Sequence, residues 1–76
     1  MDPAQAELAD ALRERLAIIG DEASRRDPDK HIARLKRVSE RIEAAQAKLP
    51  QPLDPQLAHY LQRQSYDKAL AMLESL

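Results

Sequence analysis

His31, His59 and Ser65 are the side chains in this chain best equipped for chemistry. A histidine serves as general base or metal ligand when a carboxylate or a second histidine stands at a suitable spacing. Asp27 lies four residues before His31 but is also placed to cap a helix, and His59 has no convincing ligand partner. A structural or exposed role is the simpler reading of both. Ser65 would need a base and an oxyanion site to act as a nucleophile. Its neighbours supply neither, and helix capping accounts for it. Cysteine is absent, which removes thiolate metal sites, Cys nucleophiles and disulfide staples. Asp21-Glu22 and Glu40/Glu43 have basic neighbours and read as solvated surface. The single glycine, Gly20, argues against a phosphate-cradling loop. The expectation is a protein that is not an enzyme, with no catalytic residue, metal or cofactor.

One charge pattern does stand out. Lys30, Arg34, Arg37, Arg41 and Lys48 fall on one stripe of a helix, beside its apolar seam, with Glu40 and Glu43 toward the other side. Upstream, Glu7, Asp10, Glu14 and Asp21 form an acidic stripe. Measured from the seam chosen below, it points away from the core. Pairing between the stripes is then expected across a subunit contact rather than inside one chain. Charges flanking a seam select partner and orientation in coiled coils, so Lys30, Arg34, Arg37 and Arg41 are the candidate partner-binding residues. Long basic side chains that merely cover a seam are the plainer alternative.

The elements that position these residues are announced by Asp-Pro, which occurs at Asp2-Pro3, Asp27-Pro28 and Asp54-Pro55. The Asp side chain accepts from the free N–H groups of a first helical turn, where proline's missing N–H costs nothing. Ala9, Leu12, Leu16, Ile19 and Ala23 alternate in steps of three and four, a heptad seam over about 3–25. Gly20 could end that helix early; continuation is expected because Ala23 keeps the phase. Leu35, Val38, Ile42, Ala45 and Leu49 repeat the pattern over about 28–49, before Pro50 and Pro52 stop it. Two such helices joined at Arg26-Asp27 predict an antiparallel hairpin. Ala4, Ala11 and Ile18 form a second, smaller apolar edge on the first helix. Leu12, Leu16, Ile18 and Ile19 are the candidates for self-association, and on that reading Ile18→Asp weakens association and spares helix content.

The third segment does not hold one phase. Leu57 and Leu61 share a side, whereas Tyr66, Leu70 and Leu73 fall on a face turned well away from it. Either two short helices, about 54–63 and 66–75 with Ser65 as cap, or one kinked helix satisfies both sets. Tyr60, Ser65-Tyr66-Asp67, Ala69-Leu70 and Leu73 resemble the turn of a tetratricopeptide helical hairpin over about twenty residues. Gln64 stands where that motif has glycine, and Leu57 where it has a small residue. Only one copy is present, and such repeats stack about three to bury a core. The resemblance implies a helix–turn–helix break near Ser65, and no peptide-binding role is carried over from it.

The whole reads as one all-α domain, a small helical bundle over residues 1–76. A third of the 76 residues is charged, with a net −1, and the only aromatics are Tyr60 and Tyr66. That balance is poor for nucleic acid, which favours excess positive charge and stacking rings. No run of about 18 apolar residues suggests a membrane span. The composition leads us to expect a soluble, cytoplasmic, bacterial protein. The expected role is a non-catalytic interaction module that pairs with itself as a homodimer or with another helical protein. Phosphate binding through the basic stripe and service as a regulatory subunit are the alternatives.

Overall fold

A computed structural model describes residues 2–75 of the chain. Among these residues are five helices and no strand: α1 Pro3–Gly20, α2 Glu22–Arg25, α3 Pro28–Ala47, α4 Pro55–Gln62 and α5 Tyr66–Glu74. All three Asp-Pro pairs open helices. The Asp2 carboxylate accepts from the Ala4 N–H at 2.8 Å, and the Gln5 side chain returns a bond to Asp2. Asp27 accepts from Lys30 N–H, and Asp54 from Gln56 and Leu57 N–H. Each satisfies donors that a first turn leaves free.

The first helix does not run unbroken to Arg25. It stops at Gly20, and Asp21, with φ −87° and ψ 100°, caps the four-residue α2 by accepting from Ser24 N–H at 3.2 Å. Asp21 thus does the same work as the Asp-Pro aspartates without a proline behind it. This corrects the expectation of continuation, because keeping seam phase is a weaker constraint than a capping aspartate after glycine.

The last segment is two helices, not one kinked helix. Gln64 takes a left-handed φ of 57°, with Ser65 N–H bonded to Tyr60 C=O and Gln64 N–H to Leu61 C=O. That paired arrangement is the usual way to close a helix C-terminus. Ser65 holds the N-cap position of α5, but its hydroxyl makes no capping bond. Its expected capping role is positional only.

α3 packs antiparallel along α1, and α4 packs on α5. Tyr66 at one end of α5 and Glu74 at the other reach Arg15 and Arg13, two residues apart on α1. α5 therefore lies across α1 rather than along it. The main core gathers Leu8 and Leu12 of α1 with Ile42, Leu57, Leu61 and Leu73. Ile18 and Val38 are buried beyond it, toward the hairpin tip. The molecule is elongated, 40 × 21 × 19 Å, because the α1–α3 hairpin extends past the crossing of α5.

Candidate interaction surface

The buried side of α1 differs from the seam read off the sequence. Ala4, Leu8, Ala11 and Ile18 are buried along with Ala9 and Leu12, whereas Leu16 and Ile19 are exposed. The smaller apolar edge is thus the side that meets α3. Measured from that side, the acidic stripe is adjacent to the contact, not opposite it. Glu7 meets Lys48 at 3.8 Å, Glu14 meets Arg41 in a direct hydrogen-bonded ion pair, and Asp21 meets Arg34 at 3.4 Å. The three rungs climb by seven residues on α1 and descend by seven on α3. This overturns the expectation that the stripes pair only between subunits. In that register Ala11 comes level with Ala45, and Ile18 with Val38.

The ladder accounts for most of the basic stripe. Arg34 and Arg41 are engaged with α1 carboxylates inside the chain. Lys30 reaches Asp27 on its own first turn at 4.0 Å with its side chain largely exposed. Arg37 is the one of the four with no ion pair among the described residues. A shallow open depression of about 230 Å³ lies between Lys30, Ala33, Arg34 and Arg37. At Asp21 the Ser24 backbone N–H, and after it the Arg34 guanidinium, hold the carboxyl below its ordinary value.

The Glu14 and Arg41 side chains are both about 42 % exposed, so solvent screens the pair and its net effect is small. A double-mutant cycle of Glu14→Gln and Arg41→Gln in urea unfolding is expected to give a coupling of about 0.5 kcal/mol. The coupling should shrink in high salt. Zero coupling at low salt would mean that the rung records proximity without stabilisation.

On the opposite side of the hairpin three large apolar side chains are exposed, with Lys36 and Glu43 of α3 turned to the same side. Leu16, Ile19 and Ile32 are 43, 38 and 64 % exposed. At 100° per residue, Leu16 and Ile19 on α1 and Ile32 and Leu35 on α3 all turn away from the ladder. This is the side that α5 covers nearer the base. α5 is tied there by Arg15 over the Tyr66 ring, 4.9 Å from its centre, and by Arg13, which bridges Asp10 at 2.8 Å and Glu74 at 3.6 Å. Past that crossing no helix among the described residues is seen to pack on the face. Of the four residues named for self-association, Leu12 and Ile18 are therefore core, and Leu16 and Ile19 are available. Ile32 belongs with them and was missed. Its signal is present in the sequence, three residues before the Leu35 seam position.

Neither histidine joins a reactive cluster. His31 Nδ1 lies 3.2 Å from the Ser24 hydroxyl and ties α3 to α2, while exposed His59 lies beside Tyr60. Among the described residues no three His, Cys, Asp or Glu side chains gather as a metal site. No helix there is long and apolar enough to cross a membrane. No protein-family model, curated protein or solved structure matches this chain.

Proposed function

We propose that this chain is a non-catalytic helical interaction module that associates with itself through the uncovered half of its hairpin. The observation that carries this reading is the exposure of Leu16, Ile19 and Ile32 on one side of the hairpin, beyond α5. Single exposed apolar side chains are ordinary on any surface, but three on the face that α5 already uses support the reading of a seam left half covered. The charges select less than expected, since the ladder spends three acid–base pairs inside the chain. Apolar burial supplies the affinity instead.

Light scattering across a range of concentrations tests the reading. The mass should rise from 8.6 kDa toward twice that value as concentration increases. Ile32→Lys should remain a monomer at every concentration with unchanged helix content, because Ile32 contributes surface and little core. A wild-type chain that stays monomeric into the millimolar range would refute self-association.

The depression beside Arg37 favours a second reading, phosphate binding. There an anion would meet Lys30 and Arg37 without first displacing a ladder carboxylate. Retardation of random DNA or RNA that fades steeply with salt and is lost in Arg37→Glu would support it. No retardation at low salt would remove it.

A further inference from the structure

We infer that the depression on α3 is a site for a single phosphate group, bound through its oxygens alone. This rests on the phosphate reading above and names the class of ligand: a compact phosphate rather than a nucleic-acid strand.

One helix shapes the whole depression. Lys30, Ala33, Arg34 and Arg37 follow at steps of three, one and three, which sets them on one side of two helical turns. Three of the four are cationic, and the Ala33 methyl is too short to fill the space between them. No carboxylate among the described residues lines it. Asp29 and Glu40 stand on the flank of α3, turned about 60–80° from Arg37 at 100° per residue. Arg34 is already oriented by Asp21 through one guanidinium nitrogen, and the rest of its planar fork keeps donors to offer. Arg37 has no ion pair among the described residues. An arriving oxyanion therefore finds one arginine placed and a second without a competing carboxylate. Such forks match the oxygens of a phosphate.

Two observations limit what the phosphate can be attached to. The depression measures about 230 Å³, below the roughly 300–1,000 Å³ of pockets that enclose an organic ligand. The cations also converge on one place instead of tracking a strand. Farther along the stripe Arg41 and Lys48 are engaged with Glu14 and Glu7, so the usable track is short. Affinity for a nucleic-acid strand grows with the number of phosphates neutralised, and here that number is close to one. Bases would find no ring to stack on, because Tyr60 and Tyr66 belong to α4 and α5.

Backbone amide NMR with inorganic phosphate, compared with sodium chloride at matched ionic strength, tests the site. Phosphate should shift the signals of Ala33, Arg34 and Arg37 saturably, and chloride should not. Arg37→Gln should weaken binding about fivefold at this exposed position, with helix content unchanged. Lys68→Gln, which removes an exposed cation of α5, should leave binding as it was. Shifts spread evenly over the exposed cations, or an equal loss in Lys68→Gln, would overturn the site. Glycerol phosphate should bind as tightly as inorganic phosphate, because nothing lining the depression holds the glycerol. A clear preference for the ester would overturn recognition through the oxygens alone. A single-stranded oligonucleotide separates this inference from the reading beneath it. If the strand binds with the salt dependence of several phosphates while inorganic phosphate does not bind, phosphate recognition stands and the single-phosphate ligand falls. If neither binds, both fall.

Discussion

Ile18→Asp is expected to unfold the tip of the hairpin, and with it much of the protein. Ile18 is 1 % exposed and level with Val38, which is equally buried, so the new carboxylate would be cut off from water in an apolar contact. Burying an unpaired charge and losing an isoleucine contact together cost roughly 4 kcal/mol or more. A chain of 76 residues has a total stability of about 4–11 kcal/mol at usual values per residue. The far-ultraviolet helix signal should therefore fall at room temperature, or survive with a greatly lowered melting point. Ile18→Val, which removes one methylene, should cost only about 1 kcal/mol. Wild-type melting in Ile18→Asp would show that the side chain is not enclosed. The variant is thus a test of the core, whereas Ile32→Lys is the test of association.

Leu8→Ala should be the next most damaging change. Leu8 is fully enclosed in the cluster that joins Ile42 of α3 to Leu57, Leu61 and Leu73 of the C-terminal pair. It holds two interfaces at once, and its neighbours belong to three other helices that cannot all collapse into the space it leaves. The loss is expected at about 3 kcal/mol, which for a domain of this size lowers the melting temperature by roughly 15 °C. Unfolding should stay a single transition, because the same cluster serves the hairpin and α4–α5. Two separated transitions would mean that the C-terminal pair detaches on its own. A loss below 1 kcal/mol would place Leu8 at a site able to close up.

Much of the fold was legible because its signals are local. An Asp-Pro start needs only the chemistry of one helical turn, and Asp2, Asp27 and Asp54 all cap as read. The break at Ser65 was legible from the change of phase between Leu61 and Tyr66. Asp21 was overlooked because an aspartate beside a glutamate looks like surface unless the preceding glycine is given its weight.

The buried side of α1 was not legible in the same way. Two apolar stripes overlap on that helix, one through Leu12, Leu16 and Ile19, the other through Leu8, Ala11 and Ile18. Which of them meets α3 depends on where α5 crosses, and that is a tertiary property. The error then propagated: the wrong stripe put Glu7, Glu14 and Asp21 on the far side and hid the ladder. The matched steps of seven in Glu7, Glu14, Asp21 and in Arg34, Arg41, Lys48 were the available correction. Two sets of opposite charge with one repeat, running either side of a turn, mark an antiparallel contact.

That same repeat leaves the ladder blind to a slip. Moved by one heptad, α3 would still offer Arg41 to Asp21 and Lys48 to Glu14; moved the other way, Arg34 to Glu14 and Arg41 to Glu7. The apolar seams share the period and object only in part: one slip sets Val38 level with Arg25, the other Ile18 level with His31. The arbiter is Pro28, which now sits at the first position of α3, where a missing N–H is harmless. Either slip carries it into the body of a helix, at a cost of about 3 kcal/mol. One proline thus does what three ion pairs cannot: it tells the folding chain which of several equally charged alignments is the native one.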